Sequence, residues 1–238
     1  MRRRPQPQLK NRATNQHNGV VRSRFRGRTA PLAQRSRGLT KNRRNTFMPP
    51  EDWHEPIEDD SVHYRVVEQE PGDGYAHVVT VDEVRERLAQ LPEDMLRPLH
   101  VVQLSRMTRK KRSFPCYGMQ WGSTLYLYPI EKELVEYFVR APRPQELQEA
   151  AMFGGRWVER GDGGWKLIWT PETIRDFYLN NVLIHELGHL LDNRNTSYLD
   201  RERYAEWFAI HHGYKPSRRA NLAEQAARKL VRRRHHAS

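Results

Sequence analysis

The stretch NVLIHELGHLLDNRN, residues 181–195, sets two histidines and a glutamate within five residues of an otherwise apolar run. If it is helical, His185 and His189 project from one face, about 40° and one turn apart. Two neutral imidazoles on one face can reach a single Zn²⁺ at roughly 2.0–2.1 Å. Glu186 points about 100° away, off that face but able to approach the ion's open position. This is the H-E-x-x-H arrangement, in which the glutamate is general base towards a water that the zinc activates. Gly188 lies between the two histidines and would let another element pack closely. The bland alternative is a pair of satisfied core histidines and a surface acid, and it leaves the cost of burying those groups to ordinary partners.

A catalytic zinc needs a third protein ligand and an open fourth position. The metzincin pattern is excluded, because Asp192 stands where its glycine would be and Asn195 where its third histidine would be. Glu202 and Glu206 lie twelve and sixteen residues beyond His189, and on a helix both could face the metal helix. Either one can bind the ion while the other accepts a hydrogen bond from a ligand histidine and fixes its tautomer. Tyr198, Tyr204, His211 and His212 are candidates to stabilise an oxyanion or orient a substrate, each with an ordinary packing or capping alternative. Asp192 can orient a histidine or simply help to end the helix.

HELGH followed by ERYAEWFA resembles the gluzincin metallopeptidases, in particular the ImmA/IrrE-type minigluzincins, and is similar to the anthrax lethal-factor-type peptidase domain. The resemblance covers about residues 100–214, and its specific part is residues 181–209. It implies a zincin-like fold and zinc at His185, His189 and Glu202. Ala205, Phe208 and Ala209 complete the glutamate motif, and Glu186 is the base. It places Glu206 beside the ligand, and the short interval between the motifs leaves Glu206 as the alternative ligand. It also implies an edge strand along which an extended peptide lies. GGWKLIW, just before the metal helix, is the first choice for that strand and STLYLYP the second. Trp157, Trp165 and Trp169 either line a subsite or pack a hairpin.

The elements that must position these groups can be read from periodicity and caps. Thr170 and Pro171 form an N-cap and first-turn proline for a helix running through ETIRDFYLNNVLIHELGHLL. Asp200 is read as the cap of the next helix, RERYAEWFAIHH, with Gly213 ending it. Upstream, Thr80 can cap a short amphipathic helix over TVDEVRERLAQLPEDML, with Val81, Val84, Leu88 and Leu91 on one face. LHVVQLSR, STLYLYPI and CYGMQWG are strand-like, KELVEYFVR reads as helical, and RWVERGDGGWKLIW reads as a hairpin. The expected architecture is α+β: a small, mostly antiparallel sheet against the H-E-x-x-H helix and the glutamate helix.

Charge divides the chain. Residues 1–50 carry fourteen Lys or Arg and no acid, and 215–238 carry eight against one acid, Glu224. Residues 51–214 are left with nineteen basic and twenty-eight acidic residues, a net of −9, which hints at basic peptide substrates. The expected organisation is a disordered basic arm (1–50), a zincin-like domain (51–214, with a helical part to 99 and a catalytic core from 100) and a basic helical tail (215–238). In the tail, Leu222, Ala226 and Leu230 form a weak stripe. The arm is either a solubilising tail or an attachment to nucleic acid or another polyanion. Cys116 is the single cysteine, so an intrachain disulfide and a Cys-based metal site are both excluded. No apolar run approaches membrane-spanning length, and no secretory core follows the basic N-terminus. A cytoplasmic location is expected, with an organellar transit peptide as the lesser alternative. The function expected is a zinc endopeptidase acting on peptides or proteins. A polyanion-binding protein with a structural or inactive zinc site, and a hydrolase of non-peptide bonds, are the alternatives.

Overall fold

A computed structural model of the chain describes His54, residues 64–113 and residues 116–236. The acid-free arm, 1–50, lies outside the described residues. The first elements are strands β1 (Arg65–Glu68) and β2 (Tyr75–Ala76), then helices α1 (Val81–Leu88) and α2 (Glu93–Leu96). The Thr80 hydroxyl accepts from the Glu83 N–H and the Glu83 carboxylate accepts from the Thr80 N–H, a capping box that starts α1. Val84 and Leu88 are fully buried, with Val81 and Leu91 packed beside them. There follow β3 (Val101–Leu104), α3 (Arg109–Ser113), β4 (Gly118–Trp121), β5 (Thr124–Leu127), β6 (Ile130–Glu131) and β7 (Val135–Phe138). Next come α4 (Pro144–Met152), β8 (Arg156–Glu159) and β9 (Trp165–Ile168). The helical C-terminal part is α5 (Pro171–Phe177), α6 (Leu183–Leu191), α7 (Tyr198–Ala209) and α8 (Lys215–His236).

The class is α+β, but the strands form three small sheets among the described residues rather than one. The largest has the order β1-β3-β5-β4; β1, β3 and β5 run parallel, and β4 closes one side antiparallel. β7-β9-β8 form an antiparallel sheet whose β8–β9 arm is the expected hairpin, and β2 pairs with β6. β1, from the stretch expected to be helical, is the outer strand of the sheet that also contains β3 to β5. The main core lies between this sheet and α5–α6, with Phe177 stacked on Trp169 and met edge-on by Tyr117 and Phe153.

Four local expectations are corrected. KELVEYFVR is not a helix. Leu134 takes a left-handed turn (φ 55°), after which Glu136 and Phe138 alternate inward from β7. Pairing with β9 rewards the β-branched and aromatic residues there more than a helix would. The glutamate helix starts at Tyr198, capped by Ser197 rather than Asp200: the Ser197 hydroxyl accepts from the Asp200 N–H and donates to the Asp200 carboxylate. Gly213 does not end that helix, which widens into a π-helical turn (Ile210–Tyr214) and continues as α8. Neither proposed edge strand is an edge. GGWKLIW forms β9, central in its sheet, and STLYLYP forms β5, between β3 and β4. β4, terminal in its sheet among the described residues, packs against α6.

Candidate metal centre

The helix carrying the H-E-x-x-H sequence begins where expected. Thr170 accepts from the Thr173 N–H with Pro171 in the first turn, and α5 passes through a π-helical turn (Tyr178–Val182) into α6 without a break. The two π-turns of the protein face each other. A Cβ on Gly213 would stand 2.0 Å from the Asn180 carbonyl oxygen, so only glycine allows this approach. Buried Arg87 of α1 joins both turns, donating through Nε to Asn180 Oδ1 at 2.6 Å and through its guanidinium to the His212 carbonyl. Burial lowers its pKa from the usual arginine value. This pairing fixes α6 relative to the helix that follows α7.

Gly188 does the same one level down. A Cβ there would come within 3.0 Å of Ala205 Cα and Phe208 Cβ, so α7 lies directly against α6. That contact brings Glu202 to the histidines. Its Oε1 lies 3.4 Å from His189 Nε2 and its Oε2 3.8 Å from His185 Nε2. His185, His189 and Glu202 offer ligand atoms all within 4.8 Å of one another, a group that could hold a metal ion. Ligands about 2.0–2.1 Å from a tetrahedral zinc lie roughly 3.3–3.4 Å apart, close to the shorter spacing here. Both Nε2 atoms and Glu202 Oε1 are buried without a hydrogen-bond partner. Such orphaned groups are costly unless a cation satisfies them. Burial, then the neighbouring His189, depress His185 to about 3, so it stays neutral with its lone pair free for a metal.

Glu186 lies off the ligand face and against β4. Its side chain fills the space where a Cβ on Gly118 would meet Glu186 Cγ and Val182 Cγ1 at 2.8 Å. Burial pushes its carboxyl up to about 7; His189 opposes this, Glu202 adds to it, and Lys111 and the Gln120 N–H oppose it. A carboxylate held near neutrality is suited to taking and returning a proton. Its Oε2 is buried without a hydrogen-bond partner, and the residue lines a cleft of about 470 Å³.

The remaining candidates separate. Glu206 is exposed and lines the cleft, but Glu202 is the carboxylate that joins the histidines. Tyr198 is exposed at the cleft margin. Tyr204 packs on the core beside Phe208 and under Arg194, away from the cleft. His211 donates to the Trp207 carbonyl one turn back, and Lys215 approaches its other nitrogen. His212 lies against Phe208 with the rings tilted, and burial lowers its pKa. Asp192 orients no histidine; it accepts from the Arg194 and Asn195 N–H groups and the Asn195 amide, closing the turn after α6. The three tryptophans are packing residues: Trp157 lies on Phe138, Trp165 sits against the core, and Trp169 stacks on Phe177.

Three cleft residues carried no flag in the sequence. Gly118 of β4 admits Glu186. Asn181, four residues before His185 and so on the same helical face, donates to Glu149 Oε1 of α4 at 2.6 Å. The i−4 spacing could have identified Asn181, whereas Glu149 comes from a separate helix and no local pattern marks it. No family model matches this chain, and no curated protein or solved structure matches it either. Among the described residues, no helix is long and apolar enough to cross a membrane. The first turn of α8 is fastened to the body through Arg218, which binds Asp176 and the Met152 carbonyl, while Leu222 of the weak stripe is exposed.

Proposed function

We propose that the protein is a zinc-dependent endopeptidase of the gluzincin type, with His185, His189 and Glu202 as ligands and Glu186 as general base. The observation that carries this reading is the set of three orphaned, buried ligand atoms beside a buried carboxylate that opens on a cleft. Two imidazoles and one carboxylate are a donor set suited to catalytic zinc. When bound, zinc would supply an activated water and polarise the scissile carbonyl. Glu186 would take the proton from that water and return it to the leaving amine. The contact between Gly118 and Glu186 supports β4 as the strand along which the substrate backbone lies, because β4 is terminal in its sheet among the described residues. Tyr198, at the cleft margin, is the remaining candidate to donate to the developing oxyanion.

The test is Glu186→Gln beside wild type, each loaded with zinc and offered a diverse peptide library. The reading expects equal zinc content and cleavage by wild type only. Cleavage that persists in the variant would remove Glu186 as base. A wild type that binds zinc and cleaves no peptide would leave a structural metal site instead.

A further inference from the structure

The cleft is lined by five glutamates and one arginine, and their charges are not all answered within the protein. Glu202 belongs to the metal group and Glu186 to the proton transfer. Glu146 is held by Arg140 through two bonds of 2.9 and 2.6 Å. Glu149 of α4 and Glu206 of α7 are left. Among the described residues neither has a lysine or arginine within ion-pair distance, and Arg203, one turn back on α7, offsets only part of the Glu206 charge. Glu149 accepts from the Asn181 amide, which holds it on the cleft wall. Burial pushes its carboxyl up to about 7 despite that hydrogen bond, and the nearby Glu206 charge adds to the rise. Arg143, the one cationic side chain on the lining, is exposed.

Glu186, only 3% exposed and with its Oε2 unpartnered, lines the same cleft. The volume of about 470 Å³ falls within the roughly 300–1,000 Å³ typical of ligand clefts. Tyr198 and Leu199 give the cleft an exposed apolar margin. An apolar approach ending in two carboxylates matches a side chain with a long aliphatic stem and a cationic head. We propose that Glu149 and Glu206 select a lysine or arginine side chain of the peptide substrate beside the metal centre, an inference that rests on the peptidase reading above.

The experiment uses the zinc-loaded full chain and three fluorogenic peptide series, each with one scanned position carrying lysine, norleucine or glutamate. Cleavage is measured as kcat/KM, and binding of the same peptides to Glu186→Gln is followed by fluorescence anisotropy. Lysine should exceed its uncharged counterpart norleucine by at least about tenfold in both measurements at one position. Glu149→Gln and Glu206→Gln should each shrink that ratio, and glutamine at 149 still offers an acceptor to Asn181. Glu206 is exposed, so its variant serves if Glu149→Gln fails to fold. Peptides cleaved with no preference for lysine at any position, or a preference that both variants retain, would overturn the inference and leave the peptidase reading standing. Loss of a second bound metal equivalent in Glu149→Gln would also overturn it, since the carboxylates would then serve an ion. If no peptide of any charge is bound or cleaved, the two readings fail together.

Discussion

Gly213→Ala tests the packing that sets the metal helix in place. The added Cβ would stand 2.0 Å from the Asn180 carbonyl oxygen and 2.9 Å from its carbon, where ordinary contact begins near 3.4 Å. Both partners are helical backbone, so no side chain can rotate to relieve the overlap. The π-turns must separate by about an ångström or more, and overpacking of this kind costs about 1–3 kcal/mol. Separation also stretches the Arg87 bonds to Asn180 Oδ1 and the His212 carbonyl. Hydrogen bonds to a charged donor contribute about 1.5–3 kcal/mol each. Against these stands a helix-propensity gain of about 1 kcal/mol for alanine over glycine. The net expectation is a loss of about 3–4 kcal/mol, or roughly 10 °C in melting temperature for a domain of this size. Urea unfolding with chelator present measures it without a contribution from metal binding. Gly161→Ala is the control, because no atom lies within 4 Å of its added Cβ, and it should stay within about 0.5 kcal/mol of wild type. A Gly213→Ala protein as stable as wild type, or more so, would refute the close approach of the two turns.

Arg87→Met leaves two half-buried acceptors without their donor and should cost about 2–3 kcal/mol in the same assay. Combined with Gly213→Ala, its effect should be less than additive, since both break the same junction; strict additivity would contradict this. Glu202→Gln should abolish stoichiometric zinc retention and Glu206→Gln should keep it, read by metal analysis after dialysis; the reverse result would move the ligand one turn along α7. Gly118→Ala should displace Glu186 and lower kcat about a hundredfold with zinc retained, because an error of about 1 Å at a reacting group carries that penalty. Unchanged turnover would show that β4 does not confine the carboxylate.

The helix-borne part of the site was legible because helical geometry is local. Spacing of four put His185 and His189 on one face, Thr170 and Pro171 marked the start, and Gly188 announced a close neighbour. The resemblance of ERYAEWFA to a glutamate motif singles out Glu202, which the packing of α7 on α6 brings to the histidines. The strands were harder. Leu134, Val135, Phe138 and Val139 fit a helical stripe as well as a strand, and only the turn at Leu134 and pairing with β9 decide between them. The edge strand was misplaced because strand order is a long-range property; β4 looks no more exposed in sequence than β5. Gly213 reads as a helix stop in the sequence because a glycine needed for close packing has the same letter as one needed for a turn. Arg87 and Glu149 act across 93 and 32 residues of chain, distances over which no periodicity speaks.

The most direct test of the metal centre is the zinc content of the purified full chain after saturation with zinc and exhaustive dialysis, wild type beside His185→Ala. One zinc per wild-type chain and loss of that zinc in the variant are expected. A wild type that emerges without metal, or a variant that holds as much as wild type, would contradict the assignment of His185, His189 and Glu202 as a metal site.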